Sequence, residues 1–348
     1  ISTALDHNIR HSSCQVCWDL EDTCGTSPRL KFNQMFGHLE PNKTQPRVLV
    51  IKPGNTCNFA CRMCNPMTSS SWYSDGHELE KIDLGSTSWY TEDQTGQAAA
   101  LSFNEYTKTF DTIRNSFGKN NQEFWTTLKR WLENFEYIDI YGGEPFLSPA
   151  MFDVLEHGAV LGASKNITVC LHTNASILNF DYMTTLSQYR QVNFNISVDS
   201  MVPAQFEYIR HRGSYDLVMQ NSQKFIEFFD SYPNIKVAFT LTVTPLNVYY
   251  IDEIAKSLTN KFNLPIKINI VTTPEYDIRH LPVPIKNRLI ETMQNKQIKN
   301  FLSKTIPGCD VEWPRFCRAT SKLDQLRGQS FASVFPEWWA VLQPYWVY

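Results

Sequence analysis

Short apolar runs and amphipathic stretches alternate along most of the chain. Arg47–Lys52 (RVLVIK) reads as a buried strand, and so do Tyr137–Tyr141 (YIDIY), Ile167–His172, Val192–Val198, Lys236–Val243 and Lys267–Val271. Pro149–Leu161, Phe180–Tyr189, Ser214–Phe229 and Tyr250–Phe262 lie between them and carry helical spacing. Such alternation predicts an α/β fold with a parallel sheet and right-handed crossovers. Six β-rich runs fall short of the eight that close a full barrel, so a partial (β/α)6 barrel is expected.

This core spans residues 47–275 and carries an insertion at 66–125. The insertion is rich in Ser, Thr, Asn and Trp, with helical pieces at Phe103–Asn115 and Glu123–Asn134. Residues 1–46 form a polar, Cys-bearing, poorly periodic N-terminal segment that ends in Pro41 and Pro46. Residues 276–348 read as an α-helical C-terminal extension.

Composition narrows the function classes. Of 348 residues, 42% are hydrophobic and 19% charged, which suits a globular core and not a disordered chain. The net charge of −3 disfavours a strongly basic nucleic-acid binder. No apolar run reaches the roughly 18 residues of a membrane helix, and no signal peptide opens the chain. A cytoplasmic location is the expectation. The chain starts at Ile1, which suggests a shortened N-terminus.

The nine cysteines are grouped: Cys14, Cys17 and Cys24; Cys57, Cys61 and Cys64; a loose pair, Cys309 and Cys317; and Cys170 alone in a strand. Tight groups in a long, signal-free chain read as metal sites in a reducing compartment. Cys170 is most simply a small core residue, and Cys309 and Cys317 read as buried or solvent thiols. Function in a parallel sheet gathers at the C-terminal strand ends. The first strand is followed by Cys57-x3-Cys61-x2-Cys64. Soft thiolates suit zinc or an iron–sulfur cluster, and the spacing alone also leaves a partial zinc knuckle or three incidental thiols open. Gly142-Gly143-Glu144-Pro145 follows the second strand, Thr173-Asn174 the third, and Ser197, Asp199 and Ser200 the fourth. A glycine pair lets backbone approach a ligand closely, or makes an ordinary turn. The hydroxyl, amide and carboxylate groups suit a ribose and an amino-acid moiety, and serve equally as helix N-caps.

Taken together and in this order, the cysteine triplet, GGEP and the polar strand ends resemble the radical S-adenosylmethionine (radical SAM) superfamily. Met63 departs from its pattern, which often has an aromatic before the last cysteine. The resemblance implies that Cys57, Cys61 and Cys64 hold a [4Fe-4S] cluster, and that S-adenosylmethionine (AdoMet) chelates its fourth iron. It further implies that Gly142, Gly143 and Glu144 meet the methionine amino group, and that Ser197 and Asp199 face the ribose. Arg210 would pair with the AdoMet carboxylate, with Arg212 a rival, and Thr173 and Asn174 would lie near the adenosyl group. The activity implied is reductive cleavage of AdoMet to a 5′-deoxyadenosyl radical, with flavodoxin or ferredoxin as electron donor. A non-catalytic iron–sulfur or zinc protein is the rival class.

The segment Cys14-x2-Cys17-Trp18-x2-Glu21-x3-Gly25-x-Ser27-x-Arg29 resembles one ahead of the core in phage-type radical SAM proteins with a twitch-like auxiliary domain. This implies that Cys14 and Cys17 contribute to a second iron–sulfur cluster; a zinc site or no site is the alternative. Leu323–Gln329 and Phe335–Glu337 resemble the tail of those proteins. If the chain is phage-encoded, its location is the host cytoplasm. A peptide is the leading substrate class, with nucleotides and sugars as alternatives. Trp338, Trp339 and Trp346 are expected to mark an interaction surface, or otherwise simply to pack.

Overall fold

The computed structural model describes residues 9–25, 27–39, 45–81, 102–110 and 121–347. Its centre is a six-stranded parallel sheet in the order β1 to β6. The strands are β1 Val48–Ile51, β2 Tyr137–Ile140, β3 Thr168–Thr173, β4 Gln191–Ser197, β5 Ile235–Val243 and β6 Ile266–Ile270. Each neighbour in space is also the next in sequence, as right-handed crossovers in a partial barrel demand.

The helices are α1 Gln15–Cys24, α2 Pro28–Phe36, α3 Tyr73–Glu80, α4 Phe103–Thr109 and α5 Gln122–Trp131. They continue as α6 Pro149–Leu161, α7 Phe180–Ser187, α8 Pro203–Ile209, α9 Tyr215–Phe229 and α10 Ile251–Phe262. The C-terminal extension holds α11 Val283–Thr292, α12 Lys296–Leu302, α13 Cys309–Arg327, α14 Phe331–Val334 and α15 Pro336–Leu342. Among the described residues no helix is long and apolar enough to cross a membrane. The second half of the expected helix at Phe103–Asn115 falls largely outside the described residues.

The alternation of side chains across each strand separates two faces. Ile138, Ile140, Val169, Leu171, Phe194, Ile196, Phe239 and Leu241 are buried and pack with residues of α6 to α10 in one apolar core. Phe194 packs edge-on or tilted against Phe146, Phe225 and Phe229, fixing α9 on the sheet. The opposite face carries Asp139, Cys170, His172, Asn195, Thr240 and Lys267, placed side by side by the strand register. This second face lines the inside of the partial barrel. Cys170 is buried, as expected of a small core residue, but on this face, where its sulfur accepts from Asn195 Nδ2.

The N-terminal segment is helical, although its periodicity is weak. Ser27 caps α2 by accepting from Leu30 N, Pro28 starts that helix, and Gly25 ends α1 in a left-handed conformation (φ 68°). Terminal signals carry these helices where amphipathicity does not. The tryptophans of the tail do not form an exposed surface. Trp338 is fully buried, donates its indole N–H to Pro245 O (2.7 Å) and stacks on Tyr249. Trp346 packs edge-on to Trp313 and Trp339, so these rings fasten the tail to its own body.

Candidate functional site

The loop after β1 is held by its own backbone and by distant elements. Ala60 N–H donates to His211 O (2.9 Å) and Arg62 N–H to Ile209 O (2.7 Å). Ser69 Oγ donates to Phe59 O (2.6 Å), Ser71 Oγ to Cys57 O (2.8 Å) and Trp72 Nε1 to Cys61 O (2.8 Å). These bonds fix the path on which Cys57, Cys61 and Cys64 sit. Cys61 is buried and the other two half-buried, and all three are free of disulfides.

The donor chemistry fits a cluster better than a single ion. Among the described residues, one trio of Cys, His, Asp or Glu ligand atoms lies within 4.8 Å of one another, and these three sulfurs are not it. The proximity of Cys61 and Cys64 raises the Cys61 thiol and lowers that of Cys64. Burial pushes the Cys57 thiol up to about 12. Three cysteine sulfurs on one loop, with the Arg210 charge favouring the thiolate at Cys61 and Cys64, suit a polynuclear iron–sulfur group.

The glycine-rich loop after β2 crosses directly over this one. Glu144 N–H donates to Thr56 O (2.9 Å) and Gly143 N–H to Thr68 O (3.1 Å). Gly142 and Gly143 have φ of 83° and 58°, and a Cβ on Gly143 would stand 2.5 Å from Thr56 O. Glycine is therefore required there by both conformation and contact. The Glu144 carboxylate is buried and accepts from Thr173 Oγ1 (2.8 Å), Asn174 N (2.7 Å) and Phe146 N (3.1 Å). Burial raises its pKa to about 7, against these hydrogen bonds and the Arg210 charge, which favour the carboxylate. Asn174 Nδ2 donates to Asn58 Oδ1 (3.0 Å) and lies 3.9 Å from Cys57 Sγ.

The third wall comes from β4 and the end of α8. Arg210 is buried, its NH2 lies 2.7 Å from Asp199 Oδ2, and it lowers the pKa of Cys61, Cys64 and Glu144 alike. Its Nε–H has no hydrogen-bond acceptor among the described residues, which leaves a buried donor for an anionic ligand. Asp199 is wholly buried and accepts from Thr242 N (2.8 Å), so its carboxylate turns toward Arg210 and the β5 backbone. Ser197 stands half-buried at the end of β4. Arg212 is exposed, with its backbone left-handed (φ 68°).

Several contributors escaped the sequence reading. Arg62, between Cys61 and Cys64, is 1% exposed and lies over the Tyr208 ring at 3.6 Å. Its guanidinium donates to Tyr208 O and to Asp324 Oδ1 of α13 (2.5 Å). Arg327 pairs with Asp75 and lies over Trp72, whose indole holds Cys61 O. A charged residue inside a cysteine motif was the available signal.

In the N-terminal segment, Trp18 is covered by Arg29 at 4.3 Å, Arg29 makes two bonds to Glu21, and Ser27 Oγ donates to Glu21 Oε1. Trp18, Glu21, Ser27 and Arg29 of that motif thus hold each other, while half-buried Cys14 and Cys17 lie one helical turn apart with no disulfide.

Residues 51–258, more than half of the chain, match the family model of the radical SAM superfamily. Over 146 residues the chain is 29% identical to mouse molybdenum cofactor biosynthesis protein 1, covering 42% of this chain and 21% of that protein. Among solved structures, native anSMEcpe with bound AdoMet is similar at 15% identity and TM-score 0.40, covering 82% of this chain and 62% of that one. Streptococcus suis SuiB bound to S-adenosylmethionine is similar at 15% identity and TM-score 0.39, covering 71% and 46%. The chain thus spans about a fifth of the curated relative and under two thirds of either solved chain.

Proposed function

Since the chain belongs to the radical SAM superfamily, we propose that it is an enzyme that cleaves AdoMet reductively at a [4Fe-4S] cluster held by Cys57, Cys61 and Cys64. When bound, the cluster supplies the electron that splits AdoMet to methionine and a 5′-deoxyadenosyl radical, which abstracts a hydrogen atom from the substrate. The observation that carries the reading is the crossing of two loops. Thr56 O, one residue before Cys57, accepts the N–H of Glu144, so the glycine loop and the cysteine loop are built as one unit.

This chain's residues then divide the work. Glu144 and the backbone of Gly142 and Gly143 present acceptors to the methionine ammonium. The free Nε–H of Arg210 offers a charge-assisted donor to the AdoMet carboxylate, and Asp199 orients the guanidinium. Ser197 faces the ribose, and Thr173 and Asn174 fix Glu144 beside the adenosyl group. The chemistry is the cofactor's; the protein supplies position and shelter from water. A peptide is the substrate class we favour, from the resemblance of the Cys14–Arg29 segment to auxiliary-cluster proteins, with a small redox protein as electron donor.

The test is anaerobic reconstitution followed by reduction with AdoMet present. The wild-type chain should release 5′-deoxyadenosine, and the triple Cys57→Ala, Cys61→Ala, Cys64→Ala variant should release none. Cleavage retained by that variant would sink the assignment.

A further inference from the structure

The inside of the barrel carries a second, separate donor set. Asp139 on β2 and Cys170 on β3 are register partners, and His172 stands two residues beyond Cys170 on the same face. Their ligand atoms all lie within 4.8 Å of one another. His172 Nε2 is 3.5 Å from Cys170 Sγ and 3.6 Å from Asp139 Oδ1. Zinc bonds of roughly 2.0–2.3 Å give tetrahedral edges of about 3.3–3.6 Å, so these separations are those of one ion's shell.

Two further observations point to a cation. Asp139 Oδ1 is buried and lies 3.6 Å from His172 Nε2, beyond hydrogen-bond reach, so its charge faces the imidazole and, against the burial that lowers it, raises the His172 pKa to about 9 without a bond to hold it. Asn195 Nδ2 donates to Cys170 Sγ (3.3 Å), and its own Oδ1 is fixed by Lys267 Nζ (2.6 Å). That is an oriented amide donor on the Cys170 sulfur, as the outer shell of a metal site requires.

We propose that Asp139, Cys170 and His172 bind a divalent transition ion, zinc by donor type, inside the barrel. One thiolate, one imidazole and one carboxylate are a borderline-soft set, and three protein ligands leave a position open. The His172 and Asp139 side chains keep 35% and 19% of their surface exposed, so the site is open on one side, unlike a closed structural site. Binding releases the Cys170 thiol proton to solvent and changes no oxidation state. The open position takes a carboxylate or carbonyl oxygen of a substrate lying in the barrel.

The experiment uses the 348-residue chain with Cys14→Ser and Cys17→Ser, its core cluster reconstituted so that Cys57, Cys61 and Cys64 do not compete. Cobalt(II) is titrated and zinc is counted by mass spectrometry. Expected are one zinc per chain, and visible cobalt bands with a thiolate charge-transfer component. Cys170→Ser should abolish that component, and His172→Gln and Asp139→Asn should weaken binding at least about tenfold. Asn195→Ala keeps all three ligands and should weaken binding about tenfold to a hundredfold; it decides the matter if a ligand variant fails to fold. AdoMet binding checks each variant's fold. Cobalt uptake without a thiolate band, or zinc content unchanged in the folded His172→Gln or Asn195→Ala protein, would overturn the proposal.

Discussion

The chemistry of the cofactor site rests on two buried charges with different environments. Arg210 has one arm on Asp199 and a free Nε–H, so Arg210→Ala removes a charge-assisted contact to a carboxylate. Such contacts are worth roughly 1.5–3 kcal/mol, or about tenfold to a hundredfold in affinity. AdoMet binding measured by calorimetry on the reconstituted protein should weaken by that factor, with iron content kept; unchanged affinity would remove Arg210 from the site. Glu144 is the opposite case, since burial raises its pKa from 4.5 to about 7 and so favours the neutral acid in the fold. A raised folded value contributes stability that is complete below the unfolded value and is lost as pH rises through the folded one. In cofactor-free protein, the urea midpoint of the wild type should therefore fall between about pH 4.5 and 7 relative to Glu144→Gln, then run parallel to it. Profiles that stay parallel across that window would show that Glu144 does not titrate as its surroundings demand.

The cysteine loop is clamped from outside the barrel by α13. Asp324 accepts from Arg62 NH2 and Tyr208 OH on one oxygen and from Phe331 N on the other. Asp324→Ala leaves the Arg62 cation buried without its partner, a change that costs about 3–5 kcal/mol. The pair Lys129–Asp153 is solvent-exposed, so Asp153→Ala should cost under about 1 kcal/mol in the same urea titration. Equal effects would mean that Arg62 is held by its other contacts.

The two ion pairs also show what a sequence makes legible. Strand and helix positions were readable because buried parallel strands are near-continuous apolar runs and their crossover helices keep one apolar stripe; Pro149–Leu161 ends as a helix where the pattern placed it. The cysteine triplet and GGEP were readable because their chemistry is local. Arg62 and Asp324 were not, since they lie 262 positions apart and neither breaks a local rule. Cys170 was legible as a small buried residue but its polar neighbours were not, because strand periodicity assigns a residue to a face without saying which face is polar. The helices α1 and α2 were missed because caps and side-chain bonds carry them.

At the scale of the molecule, the N-terminal segment meets the last strand of the sheet. Leu20, Ser27, Pro28 and Lys31 share a cavity of about 480 Å³ with Ile268, Asn269 and Ile270 of β6 and with Asn300 and Phe301 of α12. The same segment reaches β2 through Phe36, whose ring lies 5.0 Å from that of Tyr137, so it spans from the last strand toward the first. Among the described residues, the sulfurs of Cys14 and Cys17 form no group of three ligand atoms within 4.8 Å with any of the core triplet, so the two sets are read as separate. Cys14→Ala with Cys17→Ala should accordingly leave 5′-deoxyadenosine formation intact while lowering total iron, if the pair contributes to a second cluster as proposed. Trp18, Glu21 and Arg29 hold one another without the sulfurs, so the variant should keep its melting temperature when iron is absent. Iron analysis beside AdoMet cleavage separates the outcomes. Lost cleavage would tie the pair to the core site, and unchanged iron would make the segment a structural brace on β6.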